Sequence, residues 1–470
     1  MSISRQAPAS RPTRRVHAPW PLLLAATLAT GAWAGDVDRL GKDLTVVGAE
    51  AGASKDGLIP AFANKPDLPL PGWTWGKVRS QYARIKDEKP LFTIDASNVD
   101  KYADKMTPGQ VALVKQLKGY RMDIYPTHRN CYIPPEAAAK TRENALEAKM
   151  AADGSSLAHA KAGGVPFPIP KTGAEAMWNH KLRLSGVGFE FKNGGSTLSP
   201  RRGDSNFVYY SWELSQFFPW GAKEAKNVED NGGIELYTYY QYSLPVALAG
   251  QALISTSYIN KPTESYYYFP GQRRVRRLPA YAYDSPLIGF ENEYMVDIQN
   301  MFWSQLDRFD YKIVGKKEIY IPHDAFHMYD FNAKTADGYK RDFVNPSLGR
   351  YELHRVWVVD AKVKAGERHS APHRIYYLDE DSWNILIAED YDASGKLWNV
   401  RQAWQIPVWE LGGVCTYGPF VQYDLQSGRY VADYSVIGQG VDEQWHEKSS
   451  DPKFSSGFYT PDNLRAISAR

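Results

Sequence analysis

The chain lacks most of the local signatures that announce an enzyme. It has no Gly-x-Ser-x-Gly elbow, no phosphate loop, no His-Glu-x-x-His and no Cys-x-x-Cys. The glycines at 186 and 188 have no third partner at dinucleotide spacing. A triad assembled from distant residues leaves no such local trace, so these absences exclude only the motif-bearing classes. Charge imbalance is missing too. Lys and Arg total 56 against 53 Asp and Glu, a net +3. Four of those arginines lie before residue 16, so the rest of the chain is close to neutral. Neutrality removes the electrostatic case for nucleic acid or for an anionic membrane surface. No apolar run reaches the length of a membrane span. Internal repeats and low-complexity tracts are also absent. Cysteine is nearly so, with only Cys131 and Cys415. In an oxidising compartment this pair can form one bridge; the alternative is two separate buried thiols.

What is present begins with residues 1–34. Arg5, Arg11, Arg14 and Arg15 form a basic start, residues 21–29 a short apolar core, and Ala32-Trp33-Ala34 a small-x-small cleavage site. This is the three-part pattern of a removable export signal, with the mature start near Gly35 and a periplasmic destination. The Thr13-Arg14-Arg15 sequence hints at the twin-arginine route, but His17 stands where an aromatic is usual, which favours the general secretory route. No cysteine near the cut offers a lipid-attachment site.

Residues 35–105 read as an extended wrapping segment, because Pro60, Pro66, Pro69 and Pro71 break every periodic run. Residues 106–185 read as helical. Thr107-Pro108 is a helix start with an apolar stripe of Val111, Leu113, Val114 and Leu117. A second helix starts at Pro134-Pro135-Glu136 and is predicted to run to Gly154. A third covers 175–183. From 186 to 470 the texture is that of strands: aromatic and β-branched runs split by Gly, Pro, Asn and Asp, with hairpin turns at Asp392-Ala393-Ser394-Gly395 and around Gly428. Closely spaced hairpins imply antiparallel pairing. The chain holds 31 Tyr, 18 Phe and 14 Trp, which suits a half-buried pleated surface or an aromatic-lined groove.

Two clusters could carry chemistry. His323-Asp324-Ala325-Phe326-His327 would place both imidazoles on one face of a strand, with His354, His369 and His373 as further donors; spacing alone does not make a metal site, and none is assigned. Arg273-Arg274-Val275-Arg276-Arg277 puts Arg274 and Arg276 on one face. That pair is the candidate clamp for an anionic head group, against the alternative of a solvated hairpin arm.

A set of motifs then stands in order: Asp56-Gly57-Leu58-Ile59-Pro60, Tyr125-Pro126-Thr127-His128-Arg129, Pro166-Phe167-Pro168-Ile169-Pro170, the run 172–180, Pro270-Gly271-Gln272 leading into 273–279, and Glu318-Ile319-Tyr320-Ile321-Pro322. In these motifs the chain resembles DUF1329, a family of exported proteobacterial proteins of unknown function, over nearly the whole mature length. The resemblance implies a fold like that of the periplasmic lipoprotein carriers LolA and LolB: an incomplete, curved antiparallel barrel with helices closing an apolar cavity. It also implies an inner-membrane exporter and an outer-membrane protein as partners. One departure is His323, where the family pattern leads to an aromatic.

The expectation is therefore a mainly β (α+β) protein, built on a large, strongly curved antiparallel sheet or incomplete barrel with helices covering its mouth. Its expected role is that of a periplasmic binding or carrier protein for a hydrophobic or lipid-like ligand, without catalytic residues or cofactor. The ligand would lie in an apolar pocket on the concave face, with Arg274 and Arg276 at the rim. The rival readings are an envelope enzyme acting on lipid or glycan, and a sensor or adaptor that binds a protein through its β edge.

Overall fold

A computed structural model describes residues 37–279 and 282–468; the export-signal reading of residues 1–34 lies outside them. Sixteen strands make one sheet. In chain order the strands are β1 (Phe92–Ile94), β2 (Met122–Ile124), the separate hairpin β3 (Lys149–Met150) and β4 (Leu157–His159), then β5 (Gly188–Leu198), β6 (Val208–Phe217), β7 (Ile234–Leu244), β8 (Ala252–Tyr258), β9 (Glu264–Phe269) and β10 (Arg274–Arg277). There follow β11 (Phe309–Pro322), β12 (Tyr351–Val363), β13 (His373–Asp379), β14 (Ile385–Tyr391) and β15 (Leu397–Ala403). The hairpin of β16 (Ile406–Val408) and β17 (Val414–Thr416) precedes β18 (Phe420–Asp424), β19 (Arg429–Ser435) and β20 (Gln444–His446).

The order across the sheet is β1-β2-β12-β13-β14-β15-β18-β19-β5-β6-β7-β8-β9-β10, with β11 on β12 and β20 on β5. Pairing is antiparallel throughout except at Tyr351 and Ile124. Neighbours in sequence are mostly neighbours in the sheet, as hairpin connections require. The predicted turn at 392–395 works as its residues dictate: Asp392 Oδ1 accepts from the Ser394 and Lys396 amides at 2.9 and 3.0 Å, and Gly395 takes φ +79°. The sheet does not close, so β10 is left as an edge.

Three helices pack near the β11–β12 end. α1 (Pro108–Gln116) starts on a capping box between Thr107 and Gln110. α2 (Pro135–Glu147) ends seven residues before the predicted Gly154, because Ala148 turns extended and the chain enters the β3–β4 hairpin. α3 (Gly173–Lys181) has a second box, Thr172 with Glu175. Gly173 is needed there: a Cβ would come within 2.5 Å of the Tyr311 backbone. On the opposite face of the β6–β9 region, a smaller core of Phe217, Tyr237, Tyr239, Ile254 and Tyr268 is capped by the C-terminal helix α4 (Pro461–Ser468) through Leu464. Cys131 and Cys415 are bridged, with Cα atoms 4.9 Å apart, and this ties the stretch after β2 to β17.

Candidate ligand-binding site

The inner face of β6–β9 is where strand alternation places the expected ligand pocket. Leu214, Tyr240, Tyr242, Leu253 and Tyr267 all point to it. That face is not open. Residues 282–306 cross it as an irregular segment. Phe290 stacks on Tyr210 at 4.2 Å, the Tyr242 hydroxyl donates to Ile288 O at 3.0 Å, and the Trp303 indole donates to Ser257 at 3.0 Å. Buried charge pins the segment down: Asp297 receives Arg374 Nη1 at 2.7 Å and lies 3.0 Å from His369 Nε2. The guanidinium beside it holds the Asp297 carboxyl far below the usual range, against the opposing effect of burial. What remains is a cavity of about 30 Å³, room for one water. The expected apolar pocket is thus filled by the protein's own side chains. No strand pattern in 282–306 signals that it folds back over the sheet.

Arg274 and Arg276 lie on β10 opposite Phe269 and Tyr267, so they share the covered face, as the alternation predicts. Val275 turns to the other side and packs in the smaller core. Both arginines are exposed; Arg276 donates to Gln272 at 2.6 Å and sits over the Phe269 ring. Neither lines a sizeable cavity.

Open volume lies elsewhere, on the two sides of a ridge made by Pro168 and Ile169. On one side is a cleft of about 760 Å³ between residues 39–53 and the sheet, lined by Arg39, Lys42, Asp43, Glu50, Lys316 and Trp357. On the other is a cleft of about 680 Å³ walled mainly by apolar groups: Val37, Leu146, Met150, Phe167 and Ile169. Both are of the size that small-molecule ligands occupy. Two of the sequence motifs build the ridge. Asn179 of the 172–180 run holds Phe167 by two hydrogen bonds of 2.8 and 2.7 Å to its backbone. Gly48, at φ +90°, lets the wrap pass so close to Pro168 O that a Cβ would meet it at 1.6 Å.

The charged cleft has a structured floor. Lys316 Nζ stands 2.9 Å from Glu380 and 3.5 Å from Glu50, over the Trp357 ring at 4.6 Å. Burial, then the neighbouring Asp381, pushes the Glu380 carboxyl upward. The Trp357 indole N–H is buried without a partner. Arg129, from the 125–129 motif, forks onto Asp381 at 2.8 and 2.7 Å and reaches the Pro60 carbonyl at 3.3 Å, while Arg355 reaches the Gly52 carbonyl at 3.2 Å. These two arginines hold the wrap that forms the cleft's outer wall. Sequence reasoning named none of Leu146, Met150, Lys316 or Trp357 as ligand contacts. Their only signal was the Pro166–Pro170 motif beside them.

The histidines separate. The strand ends at Pro322, Asp324 takes φ +52°, and 326–329 is a 3-10 turn, so His327 leaves the face that His323 occupies. His369 pairs with Asp297 and His373 with Asp360. Only His354 joins His323, ring to ring at 4.5 Å. Among the described residues no helix is long and apolar enough to cross a membrane.

Comparison with known proteins places the chain in a family. The uncharacterized protein PA3922 of Pseudomonas aeruginosa is 34% identical over 460 residues, 95% of this chain and 96% of that protein. A crystal structure of a DUF1329 family protein from Desulfovibrio piger is similar at 13% identity and a TM-score of 0.37, over 59% of this chain and 92% of that one. The LolA superfamily protein NE2245 from Nitrosomonas europaea is similar at 10% identity and a TM-score of 0.34, over 62% of this chain and 100% of that one. The model of DUF1329, described as a protein of unknown function, matches residues 93–465, and the chain belongs to that family.

Proposed function

We propose that the protein is a binding or carrier protein of the bacterial envelope for an amphipathic, lipid-like molecule, and that the ligand lies across the Pro168–Ile169 ridge. The observation that carries this reading is the pairing of two ligand-sized clefts of unlike chemistry on one ridge. The apolar cleft offers Leu146, Met150, Phe167 and Ile169 to a hydrocarbon tail. The charged cleft offers Arg39, Lys42 and Lys316 to an anionic head group. Leu146 supports it further: it is 72% exposed at the cleft wall, an apolar group left in water where a tail would cover it. The export-signal pattern of residues 1–34 supports an envelope location.

The test is titration of the tag-free protein with a fluorescent fatty acid. Saturable one-to-one binding is expected. Leu146→Glu places a charge on the tail wall at an exposed position, so it should weaken binding by roughly tenfold or more without loss of fold. Wild-type protein that fails to bind saturably, or a Leu146→Glu variant that binds as tightly as wild type, overturns the reading.

A further inference from the structure

At the Pro322–Tyr351 end of the β11–β12 pair a donor set gathers that the carrier reading does not use. In the hairpin register Ile319 faces His354 and Ile321 faces Glu352. One step on, the His323 amide bonds Arg350 O at 3.2 Å. Strand alternation therefore puts His323, Glu352 and His354 on one face. All three are buried, and one donor atom from each lies within 4.8 Å of the others. We propose that His323, Glu352 and His354 bind a first-row divalent metal ion of the zinc class.

Two imidazoles and a carboxylate suit such an ion, and not magnesium or calcium, which prefer all-oxygen sets. The surroundings have the form that metal-binding imidazoles need. His354 Nε2 faces Glu352 at 3.5 Å while its Nδ1 faces Asp379 at 3.7 Å, the arrangement in which a carboxylate orients a ligating ring. His323 Nδ1 accepts from the Gln405 amide at 2.7 Å, which leaves the ring proton on Nε2, where it is donated to Asn130 Oδ1 at 2.8 Å; an ion bound at Nε2 would replace that proton. The charge around the set is mixed: Arg350 Nε meets Glu352 at 2.8 Å and Arg129 Nη2 meets Asp381 at 2.7 Å. Asp324, Asp379 and Asp381 stand around the set.

The experiment uses tag-free, oxidised, chelator-stripped protein. Cobalt(II) titration should show one equivalent bound with the visible absorption of a four- or five-coordinate site, and zinc should displace it. His354→Gln and Glu352→Gln should each weaken binding at least tenfold. Asp379→Asn, which alters only the positioning carboxylate, should weaken it by roughly 10–100-fold. His327→Gln should leave binding unchanged. Circular dichroism and the denaturation midpoint confirm that each variant folds. Should the buried variants fail to fold, X-ray absorption of the zinc-loaded wild type decides: nitrogen and oxygen ligands are expected, and sulfur in the shell overturns the assignment. Binding below one equivalent, binding that appears only after the disulfide is reduced, or a folded His354→Gln variant of wild-type affinity also overturns it. Fatty-acid binding is read separately, so failure here leaves the carrier reading standing, and the reverse holds.

Discussion

Two irregular segments lie against the sheet, and they leave opposite results. Residues 282–306 carry Phe290, Tyr294, Met301 and Phe302, all buried, and they fill the inner face of β6–β9 down to about 30 Å³. Residues 37–53 carry Gly48, Ala51, Gly52 and Ala53 where they cross the other end of the sheet, and they leave about 760 Å³ open. The segments differ in what they present to the sheet: large apolar side chains on the filled side, and glycine and alanine beside charged Arg39, Lys42 and Glu50 on the open side. An aromatic-rich sheet is therefore no guide by itself to an aromatic-lined pocket.

The contrast breaks most visibly at the disulfide, which secures the open side. Cys131 and Cys415 are 284 residues apart. By the chain-entropy model a loop this long corresponds to about 5.6 kcal/mol, so the Cys131→Ser/Cys415→Ser protein should lose most of its margin in urea unfolding. A loss under about 1 kcal/mol would mean that the wrap and its clefts are secured by non-covalent contacts alone.

The filled side is tested by Phe290→Ala. Phe290 is fully buried and stacked on Tyr210, so its removal should cost about 3–5 kcal/mol if 282–306 is an integral part of the core. A small cost, with fast hydrogen exchange confined to 282–306, would instead make the segment a cover that opens and return the inner face to the list of ligand sites.

Between these lies a pH effect on the wrap. Arg79 is buried and meets Glu410 at 2.7 Å and Asp442 at 2.9 Å, with Glu443 close by. One guanidinium cannot neutralise three acids. Burial first of all raises Asp442 to about 7 and Glu443 to about 8, although Arg79 pulls both down. In the unfolded chain such carboxyls titrate near 4. The folded state thus holds protons that the unfolded state has released, and the stability this gives, complete below about pH 4, is lost as pH rises through 7 and 8. The melting temperature should fall between pH 5 and 8.5, and Glu443→Gln should flatten that fall. An unchanged pH profile in the variant would place the titration elsewhere.

Much of this was legible in the sequence. The strand series, the hairpin at 392–395 and the helix start at Thr107-Pro108 follow from local rules that burial then obeys, whereas the helix expected over 175–183 spans Gly173–Lys181 because the Thr172 cap starts it two residues earlier. The pairing face of Arg274 and Arg276 did too, because a two-residue period survives any register. The clefts were not legible: they depend on Gly48 passing Pro168 and on Lys316 meeting Glu50, contacts across hundreds of residues with no local period. The His323 cluster stands between the two cases. Arg350, Glu352 and His354 alternate with Tyr351 and Leu353, a polar ladder open to reading on one strand. His354 stands among the donors expected beside His323, but Glu352 does not, and His327 drops out because Asp324 breaks the strand that the His323–His327 spacing presumes.

The smallest effect sharpens the comparison most. Arg274 and Arg276 sit on an exposed edge strand, on the filled face and away from both clefts. Among the described residues Arg276 hydrogen-bonds the Gln272 side chain, and exposed charges of this kind contribute little to stability. The Arg274→Ala/Arg276→Ala protein should therefore unfold within about 0.5 kcal/mol of wild type. With the ligand on the Pro168–Ile169 ridge, its affinity for an anionic lipid should also be unchanged, while Lys316→Ala, which removes a charge from the cleft itself, should weaken it severalfold. The opposite pattern, in which the arm matters and Lys316 does not, would move the head group to the β10 edge and make residues 282–306 the part of the molecule that yields to the tail.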